Sequence, residues 1–513
     1  MSVSPRPTLL SIVAHARAGA LDHAWRLFRE AGFEGVRDDA GVLSVRGRLL
    51  KDRALATDGA DRRAFYAEAA LAYAEAGALT GASYPLINAA TLALLGGEPA
   101  VARTRAVQVL EVLDRDADEA ETPYWRQATR AEALLLLGRT AEAKTALAEA
   151  VSLAPEAWED QAATLRQFAL ILAALEADAG WLDLLRPPRS LHYAGLMRLE
   201  AAGVAEAVGL QLAAERIGAG YGALAAGADI LVAEVLVARG AQLHLILPGG
   251  VAAFASASVD PAGGDWRPRF DALMAAAESV RVVAPGADPT QALAVQLAAE
   301  VAMGCAVMRA RALATEAAQI VVVDEDAEGS LASRQSLATW TAAGRRRQVI
   351  AARRLGGEAS AWPAAGNLRL AALLSVDFGD TEEAALIGEV LPALAAAAHP
   401  LAPPRWEGRR LAMVFAGPAQ AAAAALAIRA AAPQARSAGH YGLLRAAPDP
   451  FGGAELLLGE TADLPAQILA ATPVGAIQVS DDFAAALHAL RPSRTEYVGD
   501  LDGGEIRLHA LKA

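Results

Sequence analysis

One cysteine, Cys305, stands in 513 residues. A lone thiol excludes an internal disulfide and a thiolate metal cluster. Its setting, Val301-Ala302-Met303-Gly304-Cys305-Ala306-Val307, reads as a buried, inert position. Lysine is nearly as scarce: Lys51, Lys144 and Lys512 are the only ones, and arginine supplies the rest of the 46 basic residues, against 59 acidic ones. A net charge of −13 repels a phosphate backbone and argues against general nucleic-acid binding. The N-terminus carries no apolar stretch of signal-peptide type. No uninterrupted apolar run reaches the roughly 20 residues that a bilayer crossing takes. The expectation is a cytoplasmic protein with neither a membrane nor a nucleic-acid partner. The histidines are scattered. His192 and His244 fall in predicted strands and read as core or edge positions, since no further ligands stand at metal-site spacing.

Hydrophobic residues make up 54% of the chain and charged residues 20%, a composition that folds. The length exceeds the about 250–300 residues that one core sustains, so two or three domains are expected. The pattern changes twice. Residues 1–185 are rich in Ala, Leu, Glu and Arg, good helix formers, with apolar positions at helical spacing, as in Ala131, Leu134, Leu135, Ala141 and Ala148. Turns are predicted at Gly77, Gly96-Gly97 and Gly138. Arg186-Pro187-Pro188-Arg189 breaks that pattern. Residues 190–355 then alternate strands with helices. The predicted strands are Ser190–Gly195, Gln242–Pro248, Val280–Val283, Ile320–Asp324 and Gln348–Ala351, which implies a Rossmann-like parallel sheet with helices on both faces. Gly356-Gly357 to Gly366-Asn367 reads as a linker. Residues 367–513 alternate again and end in two predicted strands joined at Gly503-Gly504, a pair suited to a hairpin.

The stretch Tyr124–Pro155 resembles a tetratricopeptide repeat, with Trp125, Ala131, Leu137-Gly138, Ala143, Ala146 and Pro155 near the consensus places. In such arrays each helix pair leaves a face that only stacking covers. A plain helical bundle is the alternative. Either way these helices carry no catalytic cluster, and their expected task is to hold a protein partner.

In the middle segment Gly220-Tyr221-Gly222-Ala223-Leu224-Ala225-Ala226-Gly227-Ala228-Asp229 precedes a predicted helix, Ile230–Arg239. Glycines allow close backbone approach, and a helix N-terminus suits an anion. The same string also reads as a tight turn with an acid near a helix start. With Ala233-Glu234 and the strand Leu243–Pro248, it resembles the SLOG superfamily, which includes a DNA-uptake protein and the cytokinin-activating lonely-guy enzymes. That resemblance implies a nucleotide or nucleotide derivative at the C-terminal edge of the sheet. On this reading Gly195, Gly222, Gly227 and Asp229 line the pocket, Asp324 and Glu328 sit at the same edge, and Ser330 and Ser333 meet the ligand at the next helix start. The Pro-Gly-Gly-x-Gly-Thr-x-x-Glu motif of the lonely-guy enzymes is absent, so binding is expected rather than hydrolysis. The acidic run Asp324-Glu325-Asp326 reads as a solvated loop.

The last segment resembles a class III nucleotide cyclase, an α+β, ferredoxin-like fold. Leu373-Leu374-Ser375-Val376-Asp377-Phe378 is similar to the family's first metal strand, with Asp377 at the aspartate's place. Gly408-Arg409-Arg410-Leu411-Ala412-Met413-Val414-Phe415 is similar to the second, with Arg409 where an aspartate belongs. Ser437-Ala438-Gly439-His440-Tyr441-Gly442 and Pro473-Val474-Gly475-Ala476-Ile477-Gln478-Val479-Ser480 match further scaffold motifs. Asp463 and Gln467 replace the asparagine and arginine of the site. Two metals and cationic donors serve this chemistry, and the chain lacks most of the residues that supply them. The resemblance therefore implies no catalytic residues, with Asp377 a remnant of a metal site, and a homo- or heterodimer through this segment. Leu456-Leu457-Leu458 and Val474–Val479 are the expected contacts.

Proteins joining such segments resemble bacterial repeat proteins with a TRAFs-binding-type helical region, and the arrangement implies signalling. Two alternatives stand beside it. One is a working adenylate or guanylate cyclase, alone or with a partner chain, which would need Mg²⁺. The other is a nucleotide-processing enzyme acting through the middle segment.

Overall fold

The computed structural model describes residues 8–17, 19–115, 121–324, 331–355, 366–397, 399–450, 455–459, 461–501, 504 and 506–512. The chain divides into two compact units, Met1–Pro187 and Pro188–Ala513.

The first unit is helical: α1 (Leu9–Arg17), α2 (Leu21–Glu30), α3 (Ala40–Leu55), α4 (Gly59–Thr80), α5 (Ser83–Leu95), α6 (Pro99–Arg115), α7 (Pro123–Leu136), α8 (Thr140–Leu153) and α9 (Trp158–Ala174). Local chemistry sets several ends. The Asp39 carboxylate accepts the Val42 N–H at 3.0 Å ahead of α3, and Thr122 caps α7 with Pro123 in its first turn. Gly81 closes α4 in the left-handed conformation. Consecutive helices from α1 to α8 pack on one another, with α5, α7 and α9 also in mutual contact. Gly97 and Gly138 do turn the chain, with φ of +91° and +76°. Gly77 does not: it lies inside α4, where a Cβ would come within 2.6 Å of the Leu86 side chain. Its smallness lets α4 and α5 approach.

The second unit begins with a six-stranded sheet: β1 (Arg189–Gly195), β2 (Ile217–Gly222), β3 (Gln242–Leu247), β4 (Ser279–Val282), β5 (Ala317–Asp324) and β6 (Arg346–Ala352). The order is β4-β3-β2-β1-β5-β6 and every pairing is parallel. Helices α10 (Val204–Ala214), α11 (Ala228–Ala238), α12 (Val251–Ser258), α13 (Trp266–Ala276), α14 (Ala292–Ala312) and α15 (Leu331–Ala342) connect the strands. Strand β2 runs through Gly220-Tyr221-Gly222, which the sequence places in a loop. Its glycines are needed for packing: a Cβ at Gly220 would lie 2.3 Å from the Leu236 side chain.

The chain continues into an eight-stranded sheet: β7 (Leu368–Asp377), β8 (Arg405–Glu407), β9 (Arg410–Phe415), β10 (Arg436–Ala447), β11 (Leu456–Leu458), β12 (Ile477–Ser480), β13 (Arg494–Asp500) and β14 (Arg507–Lys512). The order is β13-β14-β12-β10-β7-β9-β8, with β11 beside β10. The pairings are antiparallel except β10 with β12. Helices α16 (Glu383–Ala385), α17 (Leu391–Ala397), α18 (Pro418–Ala431), α19 (Leu464–Ala471) and α20 (Asp481–Leu490) flank this sheet.

Helix α14 belongs to both cores. It packs on β1, β2, β3 and β5 and also against α20, β7 and β10. By length and composition alone, its 21 residues at a hydropathy of 1.4 would cross a membrane. In this unit both sides of the helix are covered by protein, which explains why it has no wide polar face. Gly304 makes the crossing tight, since a Cβ there would fall on the backbone of Ala485. Cys305 lies on this helix, partly buried, with its Sγ 3.8 Å from Arg281 Nη1. Burial pushes its thiol pKa up.

Candidate functional site

Three of the residues singled out in the middle segment, with Asp229, meet at one edge of the six-stranded sheet. Gly195 ends β1, Gly222 ends β2, and Gly227 precedes α11, whose first turn carries Asp229. Gly227 has φ +122°, and a Cβ on it would sit 2.4 Å from the Leu196 carbonyl oxygen. A Cβ on Gly195 would lie 2.5 Å from the Ala228 Cβ, and one on Gly222 2.7 Å from the Tyr193 carbonyl oxygen. Packing alone therefore demands glycine at all three places.

The amide groups of the loop are in use. The Ala226 N–H donates to the Ser258 carbonyl and the Ala228 N–H to the Leu196 carbonyl, both at 2.9 Å. The Ala225 N–H donates to Asp229 Oδ2 at 3.2 Å, and the Gly195 N–H bonds the same carboxylate. Asp229 thus satisfies two amides of this edge from within the chain. Burial drives its pKa up to about 7, tempered by these two amide bonds. The Tyr193 hydroxyl, close enough to feel the Asp229 charge, is buried and has no hydrogen-bond partner among the described residues.

Asp324 ends β5, and its carboxylate accepts from Arg354 Nε at 3.0 Å. Ser333 is buried on α15. Glu328 and Ser330, like Glu325 and Asp326, lie outside the described residues. His192 and His244 do not face each other. His192 bonds Gln319 at 3.1 Å and stacks on Trp340, while His244 bonds Ser279 at 2.8 Å and stacks on Tyr221. Burial lowers their pKa values to about 3 and about 4.

At the end of β7, Asp377 accepts the Gly379 N–H at 3.0 Å and pairs with Arg436 Nη2 at 2.8 Å. Arg436 begins β10, directly opposite Asp377 in the sheet register. Desolvation raises the Asp377 pKa, but the Gly379 amide and the Arg436 guanidinium outweigh it and hold the value below the usual carboxylate range. Arg409, in the turn between β8 and β9, donates to the carbonyls of Gly379 and Thr381. Two guanidinium groups therefore fix the loop beyond Asp377. Asp463 and Gln467 are both exposed, at the start of α19 and one turn on. His440 is buried against Ser480 at 2.9 Å, and burial lowers its pKa to about 4. Of the expected dimer contacts, Leu458 is 53% exposed, whereas Ile477 and Val479 are buried core of β12. Among the described residues, no group of three or more His, Cys, Asp or Glu side chains is placed to hold a metal ion.

A further polar cluster joins the two sheets, and sequence reasoning missed it. Arg281 on β4 pairs with Asp481 and, at 3.2 Å, with Asp482, both in the first turn of α20. His509 Nε2 lies 2.6 Å from Asp481. The Tyr441 hydroxyl donates to Glu300 Oε2 at 2.9 Å, and Arg345 donates to the carbonyls of His488 and Ala489, both at 2.6 Å. The available signal was α14 itself, long and mostly apolar with only Gln296, Glu300, Arg309 and Arg311 polar along it, in a segment expected to lie on the surface of a sheet.

Comparison with known proteins matches residues 9–93 to the family Tetratricopeptide Repeats-Sensor. The repeat read at Tyr124–Pro155 lies beyond that span and forms the helix pair α7–α8. A comparison with curated proteins finds no match. Among solved structures, this chain is similar to the adenylyl cyclase CyaB from P. aeruginosa (12% identity, 28% of this chain and 95% of that one, TM-score 0.22). It is also similar to the guanylate cyclase domain of RhGC from Catenaria anguillulae in complex with GTP (13%, 28% and 97%, 0.23). A third is an adenylate/guanylate cyclase/hydrolase from Silicibacter pomeroyi (18%, 28% and 98%, 0.24).

Proposed function

We propose that this chain is a non-catalytic signalling protein. Its helical unit docks a protein partner. Its six-stranded sheet takes a nucleotide-type ligand at the edge formed by Gly195, Gly222, Gly227 and Asp229. Its C-terminal sheet pairs with a second copy or a cyclase chain and turns nothing over. The observation that carries the reading is the pairing of Asp377 with Arg436. A carboxylate neutralised by a guanidinium is a poor metal ligand, and Arg409 adds a second cation where a metal ion would be repelled. Neither a complete cyclase site nor a nucleotide-processing site is favoured by any arrangement of the described residues.

The test is an assay of cyclic AMP and cyclic GMP formation by the full chain with Mg²⁺ and with Mn²⁺. No product is expected. Turnover that Asp377→Ala abolishes would overturn the non-catalytic reading. Ligand binding is checked by melting the full chain with a panel of nucleotides, since a ligand of the folded state raises the transition. The discriminating variant is Asp229→Asn, because a larger residue at Gly227 would break the loop itself.

A further inference from the structure

Between α14 and α15 lies a cleft of about 150 Å³. Gln296, Glu300 and Met303 line it from one face of α14, at helical spacing, and Gln335, Ser336 and Thr339 line it from α15. Two of the polar side chains are buried: Glu300 is 8% exposed and Ser336 3%. The Ser336 hydroxyl makes no hydrogen bond among the described residues. Glu300 accepts at both oxygens. Gln296 Nε2 donates to Oε1 at 2.8 Å, and the Tyr441 hydroxyl, from β10, donates to Oε2 at 2.9 Å. No arginine, lysine or histidine pairs with it among the described residues.

A buried carboxylate without a countercharge is costly. Burial raises its pKa, and the two donors only temper the rise. Water can serve the hydroxyl and amide groups of the cleft, but it cannot neutralise the acid. A metal ion is disfavoured by the donor set, since among the described residues no three His, Cys, Asp or Glu side chains gather to hold one. The volume narrows the choice further. Drug-sized ligands fill pockets of about 300–1,000 Å³, so this cleft takes a fragment and not a nucleotide. A nitrogen cation supplies the missing charge and has N–H donors to spare for hydroxyl and amide oxygens. Met303 leaves an apolar wall for the carbon part of such a group.

We propose that the cleft between α14 and α15 binds a small organic nitrogen cation, seated on Glu300 with its remaining N–H groups donating to Ser336, Thr339 and Gln335. A planar amidinium or guanidinium and a primary ammonium share this chemistry. The site is separate from the glycine edge, because Gly195, Gly222, Gly227 and Asp229 do not line the cleft. It therefore stands whether or not that edge takes a nucleotide.

The experiment melts the full chain with benzamidinium chloride, with n-butylammonium chloride and with neutral benzamide. A rise of several degrees with at least one cation, and none with benzamide, is expected. Which cation gives the rise tells a planar ligand from a compact one. Glu300→Gln should lose the rise, and without any probe it should melt at or above the wild type, because it removes an uncompensated charge. Thr339→Met fills the cleft from a half-buried position and should lose the rise as well. That variant decides the matter if Glu300→Gln does not fold. No rise with either cation overturns the proposal. So does an equal rise with benzamide, or a rise that persists in either variant.

Discussion

Two aspartates in the second unit have been moved in opposite directions. Asp229, beside the edge of β1, is buried among backbone amides, with its pKa pushed up to about 7. Asp377, at the end of β7, also loses water, but its bonds to the Gly379 amide and the Arg436 guanidinium prevail and its pKa is lowered. Amide dipoles without a full countercharge have not offset burial at the first. At the second, a facing cation tips the balance. One carboxylate is thereby poised to exchange a proton near neutrality, and the other is fixed as an anion with its charge already spent.

The largest test of this contrast is Asp229→Asn. An Asp with a folded pKa above its unfolded value of 3.8 costs stability as pH rises, since the unfolded state ionises first. Stability is therefore full below about pH 4 and falls until about pH 7. The displacement corresponds to ~4 kcal/mol at most. Denaturant melts of the full chain at pH 5 and pH 8 should show Asp229→Asn gaining on the wild type at the higher pH. A constant difference between the two would remove Asp229 as a titrating group.

A smaller effect is expected at Asp377. Its lowered pKa contributes stability that is present above the unfolded value and lost as pH falls. A double-mutant cycle with Asp377→Asn and Arg436→Ala should give a coupling of ~1–3 kcal/mol at pH 7, shrinking in acid. A coupling near zero would mean that the pair is incidental. Smallest of all is the response of Arg409→Asp to Mn²⁺. The substitution replaces a guanidinium bound to the Gly379 and Thr381 carbonyls with an acid, yet Arg436 still occupies Asp377. Titration calorimetry should register no Mn²⁺ binding until Arg436 is also replaced. Tight binding in the single variant would show that Arg409 alone blocks the metal.

Much of the strand framework was legible. Strands β1, β3, β4, β5 and β6 fall where apolar runs stand between helices, as a parallel sheet demands of its buried strands β1, β3 and β5, while the outer strands β4 and β6 are largely exposed. Strand β2 was hidden: Ile217-Gly218-Ala219-Gly220-Tyr221-Gly222 has the composition of a turn, and only the side chains of Leu236 and Tyr193 pressing on it explain its glycines. Gly77 misled for the same reason, since a glycine chosen for close helix packing is indistinguishable in sequence from one chosen for a turn. Arg409 could be picked out directly, as a cation at a place where the resemblance expects an aspartate. That Arg436 faces Asp377 could not, because the pairing of β7 with β10 is a matter of register. Glu132 drew no notice, being an ordinary residue of a helical stretch until Thr91 and Gln167 from α5 and α9 meet it.

The double burial of α14 bears on what happens if the backbone is severed between residues 355 and 366. The two sheets would still share that helix, with Gly304 seated on Ala485 and Arg281 held by Asp481 and Asp482. A nicked chain should therefore behave as a fragment-complementation pair. Its pieces should co-elute under native conditions and separate only in denaturant. A C-terminal piece produced alone would lay bare the alanine face of α20, and should gain solubility when the other piece is supplied in trans.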